Sequence, residues 1–326
     1  YSEFSSDHND KSYYVYGATQ KWTLTLNNER FSQCDSFTNI TINTEEKACK
    51  LIRNSLMEAV KKRVNNTERD IACLLSGGLD SSSIAGLVSR ELASKNQKLK
   101  TWSIGLEGSE DVAYAQKVAD HIGSDHTAII LSEDEFLNSI EDVIYAIESY
   151  DTTTVRASVG NWLISKYIKK KSECKVIFNG DGSDELTGGY MYFHCAPDEI
   201  AFDGECRRLL GDIHYFDVLR SDRSISSHGL EARTPFLDRN FIQSYLSIPL
   251  KYRCHNLNNQ CEKYLLRKSF EEMNVIPSEV LWRKKEAFSD GVSKQTKSWF
   301  EIIQDHVKDN VFKVNKLRAK DIIDKY

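Results

Sequence analysis

Residues 71–83 read Ile-Ala-Cys-Leu-Leu-Ser-Gly-Gly-Leu-Asp-Ser-Ser-Ser, and no other stretch limits the fold as strongly. The apolar run at 71–75 predicts a short buried strand, and Ile84, Leu87, Val88 and Leu92 predict a helix over 82–92. Between them, Gly77 and Gly78 remove side chains that would keep backbone N–H groups away from an anion. Ser76, Ser81 and Ser82 add hydroxyl donors, and the helix N-terminus adds partial positive charge. The loop therefore predicts a phosphate cradle, against the blander alternative of a glycine turn between strand and helix. It is not a Walker loop, because no lysine follows the glycines. Asp80 would repel a bound phosphate unless a cation lay between them, which predicts bridging Mg²⁺.

The SGGLDSS run resembles the pyrophosphate loop of the ATP pyrophosphatase superfamily, whose members split ATP into AMP and pyrophosphate to activate a carboxyl or carbonyl group. The chain around it fits that fold class. Apolar strands at 71–75, 100–106, 126–131 and 175–179 alternate with helices at 82–92, 109–122, 133–149 and 157–170. This pattern predicts an α/β fold with a mostly parallel sheet covered by helices on both faces, and ligands at the carboxyl ends of the strands. A further helix at 44–64 is expected to start from a cap at Asn43. Beyond about 190 the chain is expected to be helical, at 205–222, 237–247, 261–274 and 294–309, with Pro235, Pro249 and Pro277 as breakers.

At 326 residues the chain is long enough for one large domain or two medium ones. No apolar run approaches the roughly 18 residues of a membrane span, and the first residues are no signal peptide. A net charge of −5 would gather neither nucleic acid nor anionic membrane, so anionic substrates must meet local clusters of Arg and Lys. Eight cysteines without a CxxC pair favour reduced thiols and a cytoplasmic location. Cys254, His255 and Cys261 come nearest to a metal cluster, and weakly so.

A second glycine-acidic loop, Asn179-Gly180-Asp181-Gly182-Ser183-Asp184-Glu185, follows the strand at 175–179. Three carboxylates within five residues repel one another unless they hold cations or act on a protonated amine. A calcium loop is the alternative, but EF-hand spacing is absent. With SGGLDSS and this loop, the segments YDTTTVRAS (150–158), GLEARTPFLD (229–238) and WRKKEAFSDG (282–291) stand in an order that resembles the synthetase domain of animal-type, glutamine-hydrolysing asparagine synthetases. The resemblance spans roughly residues 20–310.

It implies that aspartate attacks the α-phosphorus of MgATP to give β-aspartyl-AMP and pyrophosphate, and that ammonia then displaces AMP. On that reading Ser76, Gly77, Gly78, Ser81 and Ser82 cradle pyrophosphate. Asp80 and Asp184 hold magnesium, while Leu74, Ile104, Asn179 and Gly180 hold the adenosine. Lys285 is the catalytic lysine, unless it is a solvated member of the run Arg283-Lys284-Lys285. Thr153, Thr154 and Arg156 grip substrate aspartate, with a structural ion pair as the alternative for Arg156. Asp217 meets the substrate ammonium or is a helix-surface residue.

Two departures stand out. Where the family usually has SGEGSDE, this chain has NGDGSDE, so Asn179 replaces serine and Asp181 replaces the glutamate tied to intermediate formation and incoming ammonia. The shorter arm moves the carboxylate by about an ångström, a misplacement that can cost about 10²-fold in rate. The family's N-terminal glutaminase domain is also missing from the sequence. Residues 1–42 are expected to be its tail and linker, and 43–326 the synthetase domain. The expected partners are aspartate with ammonia or glutamine, the glutaminase domain of the full-length protein, and a second copy in a full-length homodimer. A relative that adenylates another carboxylate is disfavoured by TTTVRAS. A catalytically impaired homologue serving as a nucleotide-binding or regulatory module is the alternative from another class.

Overall fold

A computed structural model describes residues 37–284 and 297–308, together with the backbone of Lys11–Ser12 (β1) and Thr23–Leu24 (β2). The chain divides into two compact units, 1–35 and 36–326. In the first, β1 and β2 pair antiparallel. The sequence predicts edge strands at 13–15 and 22–26 around a Gly17 turn; β2 falls within the second, and residues 13–15 lie outside the described residues.

The second unit is built on five parallel strands: β3 (Ile71–Leu74), β4 (Lys100–Leu106), β5 (Asp125–Leu131), β6 (Val176–Phe178) and β7 (Glu231–Arg233), in the order β5-β4-β3-β6-β7. Side-chain alternation along β4 shows both faces to be covered. Trp102, Ile104 and Leu106 enter a core shared with Phe136, Val159, Leu163 and Trp299. Gly105 points the other way, where helix α3 (Glu110–Ile122) lies so close that a Cβ there would come within 2.8 Å of Val112 Cγ2. The expected sheet class holds. β7 escaped the sequence reading because three residues with two charges at a sheet edge carry no apolar alternation.

Helix boundaries shift in ways that matter for the cavity. Helix α1 (Glu45–Asn65) is capped by Thr44, which accepts from the Lys47 N–H at 3.2 Å, not by Asn43. Helix α2 (Leu79–Ala93) begins three residues earlier than expected, so Asp80, Ser81 and Ser82 form its first turn. The helix expected at 133–149 breaks at Ser139 into α4 (Glu133–Asn138) and α5 (Ile140–Ile147). Helix α6 (Thr152–Lys171) takes in the TTTVRAS segment, which starts from the Asp151 cap. The helix expected at 205–222 is instead α8 (Glu199–Asp212), a 3₁₀ turn and α9 (Asp217–Ser226), broken at Phe216, whose φ/ψ of −121/−107° is not helical. Short helices α7 (Ser183–Thr187), α10 (Arg239–Leu246), α11 (Leu250–Arg253), α12 (Tyr264–Phe270), α13 (Ser278–Leu281) and α14 (Trp299–His306) complete the described fold.

Candidate active site

From β3 the chain runs outward through β4 to β5, then returns to add β6 on the other side of β3. Strand order reverses there, and in open parallel sheets a crevice forms at the carboxyl ends of the strands flanking that reversal. Both glycine loops leave from those two strands. They touch: a Cβ on Gly180 would lie 2.7 Å from the Ser81 nitrogen and 2.8 Å from Asp80 Cβ. Only glycine lets the second loop lie flush on the first turn of α2. Gly77, at φ +73°, has its own close neighbour in Tyr114, whose Cβ would be 2.5 Å from an added methyl. Serine hydroxyls pin the first loop, with Ser76 Oγ 2.9 Å from Ser81 Oγ and the Ser76 N–H donating to Ser81 Oγ at 3.1 Å.

Asp80 and Asp184 face each other across this seam. Between them stands the ammonium of Lys263, 2.5 Å from Asp80 Oδ2 and 2.6 Å from Asp184 Oδ1, while Ser183 Oγ donates to Asp80 Oδ1 at 2.8 Å. Lys263 is only 3% exposed, so its charge rests on these carboxylates. Burial alone would pull its pKa down, but Asp184 and Asp80 outweigh burial and raise it above the ordinary lysine value. The backbone of Lys263 is left-handed (φ 57°) just before α12. That turn is held by Arg267, whose Nε donates to the Glu262 carbonyl at 2.9 Å and whose backbone N–H donates to the Lys263 carbonyl at 3.0 Å.

The remaining acidic residues relieve their repulsion in other ways. Asp181 accepts from Asn179 Nδ2 at 2.7 Å, and the same amide lies 2.8 Å from Ser221 Oγ. Burial pushes the Asp181 carboxyl up to about 6, against the lowering effects of Ser221 and Arg220. Glu185 is buried, and burial with its hydrogen bond to Asp217 raises it to about 9, so at neutral pH it keeps its proton. The Tyr190 hydroxyl, with one proton to donate, lies against Glu185 Oε1 and 2.8 Å from Asp217 Oδ2. Asp217 is desolvated as well, yet Glu185 and the paired Arg220 guanidinium hold its pKa below the usual carboxylate range. Asp217 is therefore not a helix-surface residue. The break at Phe216 puts it at the start of α9, facing the cavity.

The cavity has a volume of about 390 Å³. Of the residues predicted from sequence, Leu74, Ser76, Gly78, Asp80, Ser81, Ile104, Thr153, Arg156, Asn179, Gly180, Asp181, Asp184 and Asp217 line it. Gly77, Ser82 and Thr154 do not. Ser82 is fully buried on the inner side of α2, and Thr154 spends its hydroxyl and N–H on the Asp151 cap at 2.7 and 2.8 Å. Lys285 lies outside the described residues. Arg156 Nε is buried without a hydrogen-bond partner among the described residues, and its guanidinium lies 5.5 Å from the Phe300 ring centre. A fork-shaped donor so placed suits a carboxylate ligand.

Sequence reasoning gave no site role to Lys263, Tyr190 and Arg283, and counted Glu185 only among the loop's clustered acids. Arg283 lines the cavity, donates to Asp111 Oδ1 at 3.0 Å and lies 4.1 Å over the Tyr114 ring. The GLEARTPFLD segment contributes none of the cavity lining. Its Asp238 caps α10 and pairs with Lys62 and Arg63 of α1 at 3.2 and 2.7 Å. Leu237 packs where any side chain at Gly182 would fall, 2.3 Å from the added Cβ.

The donor set fits a divalent cation. Two hard carboxylate oxygens from different loops converge on one point, and that point already takes a cationic group, the Lys263 ammonium. Among the described residues no cluster of three or more His, Cys, Asp or Glu side chains is arranged to hold a metal, so further ligands would come from substrate and water. Cys254 and His255 are buried apart from any such cluster, and the described cysteines are all free. Among the described residues no helix is long and apolar enough to cross a membrane.

Residues 51–204 and 195–326 match the asparagine synthase family model. The glutamine-hydrolysing asparagine synthetase of Gallus gallus is 49% identical over 281 residues, 85% of this chain and 50% of that protein. The human enzyme of the same name is 51% identical over 255 residues, 78% of this chain and 45% of the relative. The chain thus spans about half the length of the curated relatives it matches. Among solved structures, an NMN synthetase from Francisella tularensis aligns over 75% of this chain and 98% of its own, at 13% identity and a TM-score of 0.32.

Proposed function

The chain belongs to the asparagine synthase family, and on that premise we propose that it activates aspartate with MgATP and passes the activated carboxyl to ammonia, yielding asparagine, AMP and pyrophosphate. The observation that carries this reading is the convergence of Asp80 and Asp184 from the two loops at the strand reversal, in one cavity with Arg156. Asp80 and Asp184 would hold a magnesium ion, whose chemistry is to neutralise charge on the polyphosphate. Ser76, Gly78 and Ser81 bind the leaving pyrophosphate, and Leu74 and Ile104 flank the adenosine. Arg156 binds a carboxylate of aspartate, and Asp217 its ammonium.

The aspartate β-carboxylate oxygen bonds to the α-phosphorus as the bond to pyrophosphate breaks. Ammonia then bonds to the acyl carbon, AMP leaves, and the ammonia nitrogen gives up a proton. Asp181, poised near pH 6, is the group placed to take that proton. Lys285 is proposed to neutralise phosphoryl charge. Ammonia comes from glutamine through a glutaminase domain of the full-length protein, or from solution. Residues 1–42 serve as the tail and linker of that domain, and a homodimer and a cytoplasmic location belong to the same proposal.

A second reading, an impaired homologue that binds nucleotide without turnover, is favoured by Asp181 in place of the family glutamate. The test is formation of pyrophosphate, AMP and asparagine from MgATP, aspartate and ammonium, with Asp80→Ala as the blank. Aspartate-dependent pyrophosphate with matching asparagine supports the synthetase. A folded protein that binds MgATP with no aspartate-dependent turnover leaves the second reading.

A further inference from the structure

The acidic loop after β6 needs cations or a protonated amine to relieve its repulsion, and at Asp184 the chain supplies the amine itself. Lys263 Nζ stands within 2.6 Å of both Asp80 and Asp184, and its stem is confined: a Cβ on Gly189 would fall 2.1 Å from Lys263 Cε and 2.0 Å from Asp184 Oδ1. Of the four carboxylate oxygens, two face this ammonium and a third accepts from Ser183. A divalent cation seeking the same two oxygens meets a buried positive charge already on them. Two cations so close repel strongly where water is excluded, and two carboxylates alone do not balance three positive charges. A polyphosphate supplies the missing negative charge and gives the displaced ammonium new acceptors.

We propose that Lys263 is the resident counter-ion of the Asp80–Asp184 pair, that it excludes free divalent metal from the empty cavity, and that metal enters only together with a nucleotide's phosphates, to which the ammonium transfers. Lys263 is in this role a positioning residue, and the inference rests on the assignment of Asp80 and Asp184 as the metal-holding pair. It accounts for why a lysine is buried at the cavity floor behind a glycine that admits nothing larger. It also makes a prediction opposite in sign to that for a simple phosphate ligand: removing the lysine strengthens metal binding when no nucleotide is present.

The test is Mn²⁺ binding followed by electron paramagnetic resonance of the free ion, without nucleotide, on the wild type, Lys263→Met and Lys263→Met/Asp184→Asn, with folding checked by circular dichroism. The expected result is that Lys263→Met binds Mn²⁺ tighter than the wild type by roughly tenfold or more, and that adding Asp184→Asn removes the gain. A folded Lys263→Met protein that binds Mn²⁺ no tighter than the wild type overturns the proposal. So does a wild type that binds free Mn²⁺ as tightly as it binds the Mn²⁺ complex of a non-hydrolysable ATP analogue, a measurement available even where the lysine variant does not fold. None of these readings requires turnover. Failure of the aspartate-dependent pyrophosphate assay would therefore leave this result standing, and failure here would leave that assay untouched.

Discussion

Asp181 shows how much one methylene can shift onto its neighbours. With the short arm, the carboxylate is reached by the side-chain amide of Asn179, the other residue that departs from the family pattern in the same loop, at 2.7 Å. The two departures therefore form one contact and are expected to be coupled. Asp181→Glu, which restores the longer arm, should speed asparagine formation, and it should do so more in the Asn179→Ser background than alone, with a coupling on the order of 1 kcal/mol; strictly additive kcat values in the four-protein cycle would refute it. The same carboxyl has a pH signature. Folded, it keeps its proton up to about 6, against an ordinary value of 3.8, so in that window the folded state binds more protons and stability falls as pH rises. Asp181→Asn removes this cost. Its thermal midpoint should exceed that of the wild type by about 2 °C at neutral pH, and the difference should vanish below the ordinary carboxylate pKa. Calorimetry at the two pH values checks the sign, and asparagine formation should drop in the same variant.

Among elements, the seam between the first turn of α2 and the loop after β6 is the joint on which the cavity depends. Gly180→Ala would drive a methyl into the Ser81 nitrogen and the Asp80 Cβ, backbone and stem atoms that cannot swing aside. Parting the loops by about an ångström should lower pyrophosphate formation about 10²-fold. Gly123 is the control, because its φ of +64° strains an alanine while nothing lies within 4 Å of the added methyl. Gly123→Ala should cost about 1 kcal/mol of stability with activity per folded molecule unchanged. Equal loss of activity in both variants would mean that the loss does not come from the seam.

Much of this element-level frame is readable from sequence. The four longer runs at 71–75, 100–106, 126–131 and 175–179 are apolar enough to announce β3 to β6, and the glycine-acidic loops announce their own strand ends. Lys263 was not readable. In the segment Cys261-Glu262-Lys263-Tyr264-Leu265-Leu266 it has the look of a solvated lysine beside an amphipathic helix, whereas its left-handed backbone and a partner 183 residues away are tertiary facts. Glu185 reads as one more acid in an acidic loop. Its retained proton arises from burial and from Asp217 on another helix.

For the main unit as a whole, charge and packing are arranged around one cavity. The chain carries a net charge of −5, yet Arg156, Arg220, Lys263, Arg267, Arg283 and Lys284 line the same space as Asp80, Asp111, Asp181, Asp184, Glu185 and Asp217, so bases and acids there are matched rather than acidic on average. Holding such an arrangement in place requires distant parts of the chain to meet. Arg156 is the clearest case. It sits in the second turn of α6, and its carbonyl accepts from Trp299 Nε1 of α14 at 3.2 Å, across 143 residues of sequence. Trp299 is itself 1% exposed and packs edge-on against Phe136, ring centres 5.4 Å apart, while its neighbour Phe300 lies against the Arg156 guanidinium. Helix α14 thus buttresses the residue proposed to bind aspartate without lining the cavity through Trp299. Trp299→Ala should cost about 3–5 kcal/mol of stability. In the molecules that remain folded it should raise KM for aspartate roughly tenfold, because Arg156 loses its backing, with little change in KM for ATP. Trp299→Phe keeps most of the ring and loses the hydrogen bond, so it should cost about 1 kcal/mol and leave most of the aspartate affinity. Steady-state kinetics at a temperature where all three proteins are folded decides the matter. A Trp299→Ala protein with an unchanged KM for aspartate would show α14 to be a structural buttress alone, and would move the control of Arg156 to residues within α6 and the sheet.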